Sequence, residues 1–457
     1  MKKVSVYFIF VVLIISFVGS ILFGALLRHH YIGGFRFQNL QKVAIFFAEI
    51  PYNIKFIITK KTLSGDVIFP RREQIYDDKK FFDKKLNSSR DELILISRHD
   101  GDIGKSIVEI RDLNTFEVLH SYLPDIQKIY EKIDLTKDEF KYLKRDLGLN
   151  RFFMMHPAIT SEGELIFQSE SPLVKVDFNS KIVWVNDEDR FNHSINLDLD
   201  ENIYVPSYKY PYSKKVPSLI VSDGKDHTLY FDDAINILNQ EGKIIFSKSV
   251  IEIFIENGLI HRIFSHKFVS DPIHLNDIQP VLKDGPYFKK GDLFLSLKNL
   301  NMVILYRPET NKIIKIIEGG FLNQHDVDIL DDKTISIYNN NTFYTYHARP
   351  VVVPNNEILI YHFDTDSFSK KFEDAFKTLK IRSATESLVD FLDDGSAIIE
   401  DDNDGRIFYL NNNGEVIWEF NNLSSKKQIY NLWWARIISS EKANKIKQII
   451  KKKKNND

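Results

Sequence analysis

Two kinds of hydrophobic pattern divide this chain. From Val4 to Leu27 an uninterrupted run (VSVYFIFVVLIISFVGSILFGALL) carries no charged residue. As a helix rising about 1.5 Å per residue it exceeds a hydrocarbon core of about 30 Å, so the pattern predicts a single N-terminal transmembrane helix. Lys2 and Lys3 precede it and Arg28 follows, which favours the short N-terminus inside and the rest of the chain outside the cytoplasm, periplasmic or extracellular. A cleaved signal peptide is the competing reading. The run exceeds an ordinary signal core, and no A-x-A-like site closes it.

Beyond residue 35 the pattern changes twice. FRFQNLQKVAIFFAEIPYNIKFIITK reads as an amphipathic helix stopped near Pro51, either a stalk at the membrane surface or a helix packed on the main domain. From about Glu92 onward, short β-rich runs alternate with Asp, Asn and Gly turns. One unit reads as strand, acidic turn, strand: AITSEGELIFQS from Ala158, INLDLDENIYVPS from Ile195, VDILDDKTISIYN from Val327 and LVDFLDDGSAIIE from Leu388. A second hairpin unit recurs as IVEIRDLNTFEVLHSY from Ile107, LVKVDFNSKIVWV from Leu173, INILNQEGKIIFS from Ile235, VILYRPETNKIIKII from Val303, ILIYHFDTDSFSKKF from Ile358 and IFYLNNNGEVIWEF from Ile407. Pairing the two units gives a four-stranded sheet repeated about six times.

The expected fold class is therefore all-β, a six-bladed β-propeller preceded by one transmembrane helix. A row of β-sandwich domains is the alternative, but one hairpin grammar persists throughout and no Pro/Ser linkers interrupt it. The expected boundaries are an anchor at 4–27, a stalk and lead-in to the first blade at 28–85, the propeller at 86–440 and a basic tail at 441–457. The C-terminal IYNLWWARIIS is expected to supply a strand to the irregular first blade and close the ring. The lysines from Lys451 to Lys454 read as a solvated tail.

Composition narrows the chemistry. Lys+Arg (61) and Asp+Glu (63) nearly cancel, so no global field marks a nucleic-acid binder. The chain has no cysteine, which excludes disulfides, thiolate zinc sites, iron–sulfur clusters and cysteine nucleophiles. EDDNDG, from Glu400 to Gly405, lacks the glutamate a calcium loop needs at position twelve and reads as a hairpin turn. Trp184 and Trp418 stand at equivalent hairpin positions and are read as blade packing.

The phase of the histidines is more informative. Innermost strands line a propeller's channel, so residues at their starts converge. His156 (MMHPAIT), His193 (FNHSINL), His274 (PIHLNDIQPV) and His325 (NQHDVDIL) each stand at such a start, separated by 37, 81 and 51 residues, about one, two and one blades. A histidine ring at one channel mouth offers bases, nucleophiles or anion stabilisers. Metal binding is disfavoured, because no carboxylate shares that phase; Asp277 and Asp326 only follow two of the histidines closely.

DPIHLNDIQPVL, GDLFLSLKN, VILYRPETNKIIKII, FLNQHDVDILDDKTISIYNNN and GRIFYLNNNGEVIWEF with the downstream YNLWWARI together resemble the bacterial arylsulfotransferase family over roughly residues 150 to 440. The resemblance implies a six-bladed propeller that moves a sulfuryl group from an aryl sulfate to a phenolic acceptor, with no nucleotide donor, no cofactor and no metal. It implies His274 and His325 as catalytic channel histidines, with Arg349 in YHARP as their arginine. His193, His156, Asn276 and Glu386 are expected to bind substrate. The family's nucleophilic histidine lies one blade after the arginine. Here that segment reads IRSATESLVDFLDDG, with Thr385 and Glu386 near the position and no histidine after His362. A substitute would have to come from His193, His347 or His362. The alternative implied by that departure is a catalytically lapsed propeller that binds a small anion, glycan or protein partner.

Overall fold

The computed structural model describes residues 5–31, 37–60, 75–134, 136–137, 152–209, 231–264, 271–345 and 350–454. The chain divides into two compact units, Met1–Gly65 and Asp66–Asp457. In the first, helix α1 (Val6–Tyr31) is long and apolar enough over Val6–His30 to cross a membrane. Helix α2 (Gln38–Lys60) continues through Pro51 where the sequence predicts a stop. One proline removes a single backbone hydrogen bond, and the helix on either side persists without it.

The second unit is a six-bladed β-propeller. Blade 2 (155–186), blade 4 (275–318) and blade 5 (326–371) are antiparallel four-stranded sheets in sequential order; blade 3 (190–249) adds a short strand at its inner edge. The predicted hairpin pairs are these blades. Closure is double. Leu432–Ile438 forms the inner strand of blade 1 against Leu93–Asp100, as the sequence predicts. In addition, Phe82–Lys84, assigned above to the lead-in, forms a fifth, outermost strand on blade 6 against Val416–Asn421.

Period-2 alternation explains why the blades stack. In strand Leu93–Asp100, Leu93 and Leu95 enter a core shared with blade 2, while Ile94 and Ile96 enter one shared with blade 6. Each blade interface owns such a core, six in all among the described residues. Every blade thereby buries both faces, which a lone four-stranded sheet could not do. Trp184 Nε1 donates to the Gln240 carbonyl at 3.0 Å and Trp418 Nε1 to that of Leu113 at 2.8 Å. Each tryptophan thus ties its blade to the next, as the packing reading expects. EDDNDG forms the expected turn between two strands of blade 6. The basic C-terminus is a helix, Ser440–Lys454, with Ala443 and Ile446 buried in the core between blades 1 and 2. Its alanine and isoleucines recur at helical spacing, so the lysines occupy the remaining positions.

Inner strands have one unpaired edge facing the channel, and buried edge N–H groups need acceptors. Here blades 3, 4, 5 and 6 each supply one to the next. Ser194 Oγ accepts from Ile278 N (3.3 Å), Asp277 from Val327 N (3.2 Å), Asp326 from Val389 N (3.2 Å) and Asp390 from Ile437 N (2.7 Å). Asp277 and Asp326, which follow two of the site histidines in sequence, therefore staple blades together. Arg436 offsets their charge: Asp390, Asp277, Asp328 and Asp326 all stabilise its guanidinium against burial.

Candidate functional site

At the start of successive inner strands the backbone repeats one unusual step. His156, His193, His274 and Glu386 take left-handed conformations (φ 47°, 56°, 58° and 59°), and Asn323, two residues before His325, has φ 54°. None of these is glycine, so each step costs on the order of 1 kcal/mol. The same step in blades 2, 3, 4 and 6 sets equivalent side chains at one end of the channel.

The histidines meet across blades. His193 lies 4.7 Å from His274 and 6.4 Å from His156 between ring centroids, and His156 lies 4.4 Å from Trp434 of blade 1. Burial holds His193 neutral, its pKa far below the ordinary imidazole value, and the nearby charges of His274, His156, His325 and Lys298 push the same way. His156 is lowered to about 4, chiefly by burial. His325 is likewise held well below its usual value by burial, then by Lys298 and His274.

Two of the rings are oriented by specific partners. His274 Nδ1 sits 2.6 Å from Asp271 Oδ2, a carboxylate that fixes the proton on Nδ1 and leaves Nε2 as the basic nitrogen. His325 Nδ1 lies 2.8 Å from Asn340 Oδ1 and 3.2 Å from the Asn323 carbonyl. Asn340 Nδ2 donates to the carbonyls of Ser383 (3.1 Å) and Glu386 (2.8 Å). These two acceptors orient the amide with its oxygen toward His325, so Nδ1 carries the proton and Nε2 holds the lone pair.

Glu386, in blade 6, occupies the left-handed position that histidines hold in blades 2 to 4. Its carboxylate stabilises the Lys298 ammonium and destabilises a charged Glu400, which places it beside both. Asn276 is buried, and its amide donates to the Gln324 carbonyl at 2.8 Å, tying blade 4 to blade 5. Arg349 and His347 lie outside the described residues. His362 pairs with Ser369 on the outer hairpin of blade 5, two strands from the channel. Among the described residues no group of three or more His, Asp or Glu is arranged to hold a metal ion.

Sequence reasoning missed Asp271, Asn340 and Lys298. Asp271 was legible as an i, i+3 neighbour of His274. Lys298 closes the apolar run LFLSLK, and a lysine ending a buried strand is a signal in itself. Asn340 gave no signal beyond its Asn-rich turn.

A family model described as Arylsulfotransferase (ASST) matches residues 156–423. No curated protein matches the sequence. Among solved structures, a protein of unknown function from Bacteroides caccae aligns with 11% identity and a TM-score of 0.46, over 76% of this chain and 98% of that one. Kuenenia stuttgartiensis hydrazine synthase aligns with 12% identity and a TM-score of 0.40, over 70% and 73%. Virginiamycin B lyase from Staphylococcus aureus aligns with 11% identity and a TM-score of 0.32, over 57% and 68%.

Proposed function

The chain belongs to the arylsulfotransferase family, and from that premise we propose that it transfers a sulfuryl group from an aryl sulfate to a phenolic acceptor at the histidine-lined mouth of the channel. The observation that carries this reading is the Asp271–His274 pair beside His193 and His325. In the proposed reaction, His274 Nε2 takes the acceptor's phenolic proton as the phenolate oxygen attacks sulfur. The bond from sulfur to the donor's aryl oxygen breaks, and the departing phenolate recovers the proton from the His274 imidazolium. The proton thus passes from acceptor to donor, and no cofactor enters. His325 lies close enough for His274 to act on its ionisation, and presents its Nε2 to the sulfuryl group. His193, His156, Asn276 and Glu386 line or support the ligand, and Arg349 contributes a further cation.

We place the anchor at residues 4–27, with α1 retained in the membrane and the propeller outside the cytoplasm, periplasmic or extracellular. The absence of a charge in the apolar run and its length support that assignment over a cleaved signal.

One observation favours the lapsed, ligand-binding alternative: Glu386 stands where the resemblance calls for a nucleophilic histidine. Phenol release from an aryl sulfate by the purified full chain in detergent, with and without an acceptor phenol, separates the readings. Transfer predicts acceptor-dependent release that falls about 10²- to 10⁴-fold in His274→Ala and in His325→Ala. No release across a panel of aryl sulfates supports the lapsed propeller.

A further inference from the structure

Lys298 directly follows the second strand of blade 4 (Leu293–Leu297) and opens a 3-10 turn, and its backbone N–H donates to the His274 carbonyl at 3.1 Å. Four of the five preceding strand residues are apolar and all five are buried. Lys298 itself is 7% exposed. Among the described residues no carboxylate comes within ion-pairing distance of its ammonium. The charged or titratable groups that act on it or feel it are Asp271 and Glu386, which stabilise the ammonium, and His193 and His325, whose protonation it opposes. Among the described residues, then, this lysine is buried against rings kept neutral and has no ion-paired carboxylate, a setting in which a bound anion would offset the cost of its charge.

We propose that Lys298 is the cation that grips the oxygens of the anionic ligand at this mouth. The inference rests on the sulfate-ester reading for its ligand class, a tetrahedral sulfuryl oxyanion on an aromatic ring. Lysine suits the task as a compact point charge delivered by a rigid strand end. Burial lowers its pKa, so anion binding should weaken with rising pH before an exposed lysine would deprotonate.

The test is the affinity of the full chain in detergent for an arylsulfonate, which presents three sulfur-bound oxygens and has no ester bond to break. Calorimetry across pH and aryl-sulfate kinetics are run on wild type, Lys298→Met and Lys298→Arg. The expected result is at least a tenfold loss of affinity and a matching rise in KM in Lys298→Met. Lys298→Arg should retain affinity within about threefold and lose the alkaline weakening seen in wild type. Wild-type affinity in Lys298→Met overturns the proposal. Should the methionine variant melt early, an alkaline limb that persists in Lys298→Arg overturns it equally. Lys298-dependent binding without phenol release sinks the transfer reading and leaves this assignment standing. Release with an unchanged KM in Lys298→Met does the reverse.

Discussion

Asp390 offers the sharpest test of how the channel is held together. Its Oδ2 accepts the Ile437 N–H at 2.7 Å, joining blade 6 to the C-terminal strand that closes the ring, and it is first among the carboxylates that stabilise Arg436. Asp390→Ala strands a buried donor, at about 1–3 kcal/mol. It also removes one partner of a buried cation, where full loss of pairing costs about 3–5 kcal/mol. That second amount applies only where Asp390 is ionised, and Asp277, Asp328 and Asp326 still face Arg436; at pH 4, with the carboxyl neutral, the cost is the stranded donor's about 1–3 kcal/mol. Asp390→Asn keeps the acceptor and should cost under about 1 kcal/mol near pH 4. Burial pushes Asp390 up to about 6, so the wild-type carboxyl contributes fully below the unfolded value of about 3.9 and its contribution fades as pH rises through 6. At about 1.4 kcal/mol per pH unit, the asparagine variant should gain about 2–3 kcal/mol on wild type between pH 4 and pH 7. All four tryptophans, at 184, 418, 433 and 434, lie in the propeller, so their fluorescence melts report this unit alone. At an unfolding entropy of about 2.1 cal/mol/K per residue, 1 kcal/mol shifts the melt of residues 66–457 by about 1 °C. An asparagine variant that melts as early as the alanine variant at pH 4 refutes the capping argument. A pH-independent difference between asparagine and wild type refutes the assignment of the proton.

Asp271→Asn should lower acceptor-dependent phenol release at least tenfold, because an amide does not hold the His274 tautomer as a carboxylate does; steady-state kinetics with unchanged thermal stability would check it. Gly405 sits at φ 62°, and an added Cβ would come 2.5 Å from Ile429 Cγ2 and 2.7 Å from the Tyr430 carbonyl. Gly405→Ala should therefore destabilise the propeller by about 2–4 kcal/mol, measured as a lower melting temperature. Deleting residues 1–31 should move the chain from the detergent-extracted to the aqueous fraction with the propeller melt unchanged; a shifted melt would contradict the division into two compact units.

The sequence by itself determined the repeating hairpins, the count of six blades, the closing role of the LWWARII segment and the phase of His156, His193, His274 and His325. It could do so because period-2 alternation and Asp/Asn/Gly turns are local signals, and a repeat read from them fixes what recurs at equivalent positions. Only the tertiary structure decided which partners those residues meet. Asp277 and Asp326, adjacent to the histidines in sequence, turn to the next blade's N–H groups, whereas His325 is oriented by Asn340 fifteen residues on. The backbone N–H of Lys298 meets the His274 carbonyl from the end of the neighbouring strand. The basic C-terminus buries two residues of a helix that its lysine content disguised. Pattern reports which face of a strand is buried. The neighbour across that face exists only once the ring has closed, and charge pairing, tautomers and N–H capping all depend on that neighbour.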